Sequence, residues 1–485
     1  MDPEKSHEEE TVEDIKAGLA LPDIDPAAEK RLLWKVDIHV VPILTFLFLL
    51  AFLDRINIGN ARLQGLEKEL GMEGHDYNIA LFIFFIPYIL FEVPSNMFLK
   101  KLPPSWWLSG IIFCWGIITV CQGLTQSFGG LVACRFLLGL FEAGLMPGCI
   151  YLIAMYYKRY ELQWRFNLFF SASIVAGAVS GLLAYAISKM DGVGGYSSWR
   201  WLFIIEGLVT VVTGVAAKFL IVDWPEVATF LTDEERALLL RRLAEDRGEA
   251  LMNRFDKPAI KRTFSDPKIY LGALMYFGIV NTGYATAFFI PTILQQLGWT
   301  SVRAQVMTIP VYVVATITTL SSAYASDRMR HRFGFTMAGC LIATIGYVIL
   351  ICQESVTVGV RYFAIFAVTC GGFMAQPMLL GWLSNNLGGH YKQSIGSAMQ
   401  IGIGNCGGLV ASNVFYNSEA PLYPTGFGVS LGMVWICGVA CMIFFGYLYR
   451  ENRLREQGKR DHRYHWPREE LENAGDDHPS FRFTY

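Results

Sequence analysis

About twelve stretches of some 20 mostly apolar residues run through this chain, and no other feature constrains its fold as strongly. A helix of about 20 apolar residues crosses the hydrocarbon core of a bilayer, and within lipid it satisfies every backbone polar group internally. The first six stretches lie near 38–60, 78–99, 105–124, 130–153, 165–189 and 200–222. The second six lie near 269–293, 304–325, 334–352, 362–386, 394–416 and 427–449. The first and tenth carry enough polar residues to score weakly on a hydropathy scale. The composition agrees: 17% of residues are charged, against roughly a quarter in soluble domains, so much of the surface does not meet water. The expected fold class is an all-α membrane protein, with about twelve transmembrane helices in two pseudo-symmetric six-helix bundles.

A polar connector separates the two sets. The organisation read from the sequence is a cytosolic N-terminal tail (1–35), a first bundle (36–222), a connector (223–268), a second bundle (269–450) and a C-terminal tail (451–485). Within the connector, Thr232 and Glu235 have capping-box spacing, which predicts a surface helix there. The acidic start, with Glu8, Glu9 and Glu10, lacks a basic segment followed by an apolar core, so no cleavable signal peptide is expected. The tail after Arg450 ends without periodicity and reads as disordered. Basic residues concentrate in the loops after even-numbered stretches: Lys100 and Lys101, Lys158 and Arg159, the Arg-rich connector, then Arg328, Arg330, Arg332 and Lys392. Under the positive-inside rule those loops and both termini are expected to be cytosolic, and the expected location is the plasma membrane rather than the vacuolar one.

Several function classes are excluded. A net charge of −2 argues against nucleic acid. The 10 cysteines form no C-x-x-C pair, and Cys114, Cys134, Cys340, Cys370 and Cys437 sit in apolar runs, so zinc and disulfide readings are poor. There is no G-x-x-x-x-G-K-[ST] loop for ATP and no H-E-x-x-H metal site, so the chain is expected to be no enzyme, to need no cofactor, and to draw on an ion gradient. The lipid bilayer is an expected partner, and the protein is expected to work as a monomer.

Ionisable side chains inside a span cost about 2.5–3.5 kcal/mol at the helix centre on insertion scales, so each marks a place of interest. Asp54 and Arg55 stand in the first stretch. Arg55 offers a planar fork suited to a carboxylate, and Asp54 can hold a proton or balance it; alternatively both anchor the helix at the interface. Arg135 and Glu142 in the fourth stretch are seven residues apart, two turns along one face, with Gly139 between them. They are too far apart to pair directly, so each needs another partner. They form either a proton-coupling element or a static ion network. Asp327 precedes Arg328 and Arg332 between the eighth and ninth stretches, where basic residues also satisfy the positive-inside rule. Tyr88, Glu92, Gln376, Trp382, Asn385, Asn386, Gln400, Asn405 and Asn413 punctuate other stretches and serve as helix glue or as ligand contacts. Gly177 and Gly181 make a G-x-x-x-G, read as packing.

Four segments carry a family resemblance: Phe52 to Ala61 (FLDRINIGNA), Phe91 to Asn96 (FEVPSN), Arg135 to Gly144 (RFLLGLFEAG), and Trp199 to Phe203 (WRWLF) with Glu206 and Gly207. The chain resembles the major facilitator superfamily over nearly its whole length. More closely, it resembles the anion:cation symporter family in its fungal branch of nicotinate, allantoate and pantothenate permeases. The resemblance implies that Arg55 binds a substrate carboxylate, that Asp54 and Glu142 handle protons, and that Arg135 couples to them. It places Tyr88, Trp382 and Asn405 on the central cavity, and Gln376 joins them as a substrate-binding candidate. Asp327, Arg328 and Arg332 resemble the superfamily's D-R-x-x-x-R gating loop; Asn96, Lys100 and Lys101 stand at its degenerate first-half counterpart. The seventh stretch, around Asn281 to Tyr284, has no arginine for a second carboxylate, which favours a monocarboxylate. The implied activity is proton-coupled import of a small organic anion, such as nicotinate or a related vitamin or nitrogen-source acid, by alternating access. A non-transporting nutrient sensor and an exporter of a carboxylated metabolite are the alternatives.

Overall fold

The structure is a computed structural model that describes residues 25–99, 102–158, 161–247, 262–388, 390–465 and 475–485. Among the described residues twelve long helices form the body. In the first half they are α1 (Pro26–Leu63), α2 (Asp76–Leu99), α3 (Pro104–Gly123), α4 (Phe128–Tyr156), α5 (Leu162–Ser188) and α6 (Ser198–Leu220). In the second they are α7 (Pro267–Gln296), α8 (Ser301–Met329), α9 (Arg332–Ile351), α10 (Val358–Asn385), α11 (His390–Asn413) and α12 (Pro424–Glu456). Ten of these are apolar and long enough to cross a membrane, including α1 and α10, which the sequence expected to score weakly. Most begin or end several residues beyond the apolar stretches, because capping and amphipathic turns extend them. Asp25 caps α1, Ser127 caps α4 and Thr300 caps α8, each accepting a backbone N–H of the first turn.

Packing repeats at an offset of six helices. Within the first half, α3 packs on α6, α1 on α5 and α2 on α4; within the second, α9 packs on α12, α7 on α11 and α8 on α10. The halves meet through α5 on α8, through α2 on α11, and where the end of α1 crosses α7. Gly177 and Gly181 belong to the α5–α8 seam: a Cβ on Gly181 would stand 2.7 Å from the Gln305 carbonyl oxygen. Side chains such as Phe219, Val212, Leu341 and Trp435 point outward, as a lipid-facing surface requires.

The connector folds as expected at its start. Thr232 N–H donates to Glu235 Oε2 at 2.9 Å, Glu235 N–H donates to Thr232 Oγ1 at 3.3 Å, and the helix Asp233–Arg247 follows. Fully buried Arg242 reaches Glu29 and Glu161, and Lys35 reaches Glu235 at 2.6 Å, which clamps this helix to the first half. The acidic start before residue 25, Lys100, Lys101 and Arg159 lie outside the described residues.

The C-terminal tail departs from its reading as disordered. α12 continues to Glu456, and residues 475–485 lie along the connector end of the second half as a strap. Buried Asp476 binds Lys268 at the start of α7 and Lys392 at the start of α11, the latter at 2.9 Å. Arg455 donates to the carbonyls of Asp476, His478 and Phe481. Asn386 accepts from Thr484 N–H at 2.8 Å, and Arg332 N–H donates to the Tyr485 carbonyl at 2.7 Å. Such a segment has no periodicity to read, because backbone hydrogen bonds, one buried carboxylate and the closely spaced Phe481, Phe483 and Tyr485 hold it rather than a helical apolar face.

Candidate functional site

The α1 helix is interrupted at Asn57, and α4 is interrupted at Ala143 and Gly144. Irregular backbone at membrane depth persists only where protein or a cavity satisfies it. Arg55 and Glu142 stand just before these two breaks. Arg55 Nε donates to Glu142 Oε1 at 3.0 Å, Nη2 donates to the same oxygen, and Nη1 donates to the Tyr284 hydroxyl at 2.5 Å. Arg55 is 4% exposed and Glu142 2%, so this ion pair is removed from water. The guanidinium also lies 5.0 Å from the Phe84 ring, 4.9 Å from Tyr88 and 5.7 Å from both Phe52 and Tyr284. Stacked aromatic faces stabilise a cation that burial would otherwise penalise. Gly139 makes the meeting possible, because any Cβ there would collide with the Phe84 carbonyl oxygen of α2.

Arg135 lies close behind the pair. Its Nη1 donates to the Arg55 carbonyl at 3.3 Å, while Nε and Nη2 have no partner. Asp54 points away from Arg55 rather than balancing it. Adjacent residues on a helix diverge by about 100°, so Asp54 turns into the first half, where Trp115 Nε1 donates to it at 2.8 Å and Thr210 Oγ1 at 3.0 Å.

A cavity opens beside Arg55 between the halves. The cavity volume is about 30 Å³. Phe48, Phe52, Met146, Phe170, Val280, Tyr276, Tyr284 and Phe373 supply apolar walls, and Arg55, Ser173, Gln376 and Asn405 supply polar groups. Gln376 Nε2 donates to Tyr276 at 3.3 Å; the buried amide nitrogen of Asn405 has no partner. On the side away from the connector the cavity is closed by contacts across the halves, with Phe85 against Tyr284 and Phe288, Tyr77 against Phe289, and α1 at Gly59 against the Phe288 carbonyl.

Among the sequence candidates, Arg55, Gln376 and Asn405 line this cavity, and Tyr88 stacks on Arg55. Trp382 does not reach it. Six residues beyond Gln376, it faces roughly 120° away on α10, packs on Phe333 and Phe444, and donates to the Thr484 carbonyl at 3.1 Å. Asp327 and Arg332 pair at 3.4 Å across the α8–α9 turn, where Arg330 takes a left-handed conformation (φ 50°); Arg328 follows Asp327 at the end of α8. Sequence reasoning gave no role to Tyr284, Asn57, Trp115, Thr210 or Glu206. Glu206 was findable, as a carboxylate inside the sixth apolar stretch. Among the described residues no group of three or more His, Cys, Asp or Glu side chains is placed to hold a metal.

The comparisons agree with this architecture. The family model described as Major Facilitator Superfamily matches residues 44–412. An uncharacterized transporter of Schizosaccharomyces pombe, C1002.16c, is 36% identical over 88% of this chain and 85% of its own. The MFS transporter prlL of a fungal species (strain NRRL 50135) is 35% identical over 94% of this chain and 96% of its own. A crystal structure of a bacterial homologue of the human lysosomal transporter Spinster, inward-facing and occupied, has a TM-score of 0.62 at 16% identity, covering 87% of this chain and 97% of that one. A repeated six-helix packing, a matching family model and near full-length relatives named as transporters lead to one conclusion: this chain belongs to the major facilitator superfamily and is a multi-pass membrane transporter.

Proposed function

We propose that this transporter is a proton-coupled importer of a small, flat monocarboxylate, nicotinate-like acids first, in the anion:cation symporter branch of the superfamily. It works as a monomer in the plasma membrane, with both termini cytosolic. The observation that carries the reading is the Arg55–Glu142 pair at the cavity wall. A buried guanidinium needs an anionic partner, because removing one member of a buried pair leaves an uncompensated charge. Here that partner is exchangeable: protonated Glu142 releases Arg55, and a substrate carboxylate takes its place on the Nε–Nη2 edge, which can hold both of its oxygens. Tyr88 and Tyr284 hold the guanidinium during the exchange. Asp54 and Arg135 complete the proton-handling group.

The walls favour a planar ring. Phe52, Tyr276, Tyr284 and Phe373 offer aromatic faces, and the amides of Gln376 and Asn405 face the same space. A ring nitrogen is a hydrogen-bond acceptor that the unpartnered Asn405 amide can serve. With Arg55 occupied by substrate, the halves rock about the α2–α11 and α5–α8 seams, and deprotonation of Glu142 expels the anion inward. The Asp327–Arg332 pair holds the α8–α9 turn during this motion. The test is uptake of labelled nicotinate, benzoate, nicotinamide and a sugar at two external pH values, with and without a protonophore. Nicotinate uptake should rise with external acid and collapse with the protonophore. Insensitivity to the protonophore, or preference for nicotinamide or sugar, overturns the reading.

A further inference from the structure

The first half buries beside Asp54 a further acid, Glu206, to which the central site gives no role. Asp54 and Asn57 are one turn apart on α1, and Glu206 and Thr210 are one turn apart on α6. Thr210 Oγ1 donates to Asp54 Oδ2 at 3.0 Å, and Asn57 Nδ2 donates to Glu206 Oε1. These two rungs place the carboxyl groups diagonally across one helix interface. Asp54 is 1% exposed and Glu206 3%. Their hydrogen-bond partners, Trp115, Thr210 and Asn57, are all neutral, and Asp54 Oδ1 and Glu206 Oε2 are buried without any partner.

The charged groups around them can be counted. From α4 come Arg135, with two nitrogens unpartnered, and Glu142, already bound to Arg55 of α1. From α3 and α5 the nearest polar groups are Trp115 and Ser180, both uncharged. Glu92 of α2 faces Gly402 of α11 instead. Arg55 is matched by Glu142, so Asp54 and Glu206 face one remaining guanidinium, Arg135: two acids against one cation. A buried group of this kind is neutral only with one additional proton, and neighbouring carboxylates in a poorly solvated site do not both ionise.

We propose that Asp54 and Glu206 hold one proton between them, forming a proton store inside the first half with Arg135 as the counter-ion when that proton leaves. Glu206 thereby acts as a positioning residue for the protonation of Asp54. The transport consequence rests on the proton-coupled reading above, whereas the shared proton does not. Infrared titration of the full-length protein in lipid nanodiscs, with ¹³C-labelled aspartate and Asp54→Asn to assign the band, reads the Asp54 carboxyl directly. A protonated carboxyl should be present at neutral pH. Glu206→Gln should move the Asp54 titration to the acid side by roughly one pH unit or more, because Arg135 then faces a single carboxylate. Glu206→Asp should restore the wild-type titration. An Asp54 band that titrates at the same pH with and without Glu206, or no protonated carboxyl at neutral pH, overturns the proposal. Uptake at two pH values reads the other claim: pH-independent uptake with the shared proton intact would sink proton coupling and leave the pair standing.

Discussion

Arg55 and Glu142, 87 residues apart in the chain, meet as a buried pair, with Arg55 Nε 3.0 Å from Glu142 Oε1. The pair sits where two interrupted helices cross, and the guanidinium also holds the Tyr284 hydroxyl of the opposite half. One side chain thus joins the Glu142 carboxylate, the cavity and the second half.

Arg55→Lys keeps the charge and loses the fork. Apparent affinity for the carboxylate should fall roughly tenfold to a hundredfold, matching about 1.5–3 kcal/mol for a charge-assisted hydrogen bond, while expression stays near normal. Unchanged affinity in a concentration series of labelled nicotinate would reduce Arg55 to a packing residue.

Glu142→Gln imitates the protonated acid and leaves Arg55 free for substrate. Counterflow exchange in proteoliposomes should persist, and accumulation driven by an imposed pH gradient should fail. A variant that still concentrates substrate would move the coupling proton elsewhere.

Asn405→Leu removes the unpartnered amide from the cavity. One neutral hydrogen bond contributes about 0.5–1.5 kcal/mol, so preference for nicotinate over benzoate should narrow by a few-fold to about tenfold. Competition between the two acids measures it, and an unchanged ratio would remove Asn405 from ring recognition.

Asp476→Asn breaks the strap's anchor and leaves Lys268 and Lys392 with Asp266 alone. Losing one partner of a buried pair costs about 3–5 kcal/mol, which should appear as a lowered melting temperature and early proteolysis of the tail. Burial works to raise the Asp476 carboxyl, but the Lys268 and Lys392 ammoniums outweigh it and hold it below the usual aspartate value. Its contribution is therefore full above the ordinary value of about 3.9 and disappears as pH falls through the lower folded-state value. Wild type should lose strap protection in that acid range; Asp476→Asn should show no such dependence.

Gly181→Val places side-chain atoms against Gln305 across the α5–α8 seam. Overpacking of this kind costs about 1–3 kcal/mol. Transport should fall well below wild type, while circular dichroism keeps its helical signature. Normal uptake would show that the seam has room to spare.

Much of the site was legible because lipid makes it so. Arg55, Asp54, Arg135 and Glu142 are ionisable residues inside apolar stretches and stand out against that background; Glu206 stands out in the same way, yet the sequence reading gave it no role. The spacing of Arg135 and Glu142 correctly excluded a direct bond between them, yet it could not name Arg55 as Glu142's partner, since that contact joins different helices. Trp382 and the tail misled for a related reason. A tryptophan near polar residues reads equally as a cavity wall or as an end-of-helix packing piece, and an aperiodic tail reads as loose whether or not it is docked.

By itself, then, the sequence determined the helices, their number and their division into two sets of six, because backbone desolvation in a bilayer leaves a long apolar segment no other structure. It also determined which residues had to be buried away from lipid. Only the tertiary structure decided which of them meet. It turned Asp54 toward Trp115 and Thr210 and away from its neighbour Arg55, gave Arg55 to Glu142, and seated Asp476 between two lysines. Those choices depend on helix rotation and on close approach at glycines such as Gly139, which are set by packing across the whole bundle rather than by any local run of residues.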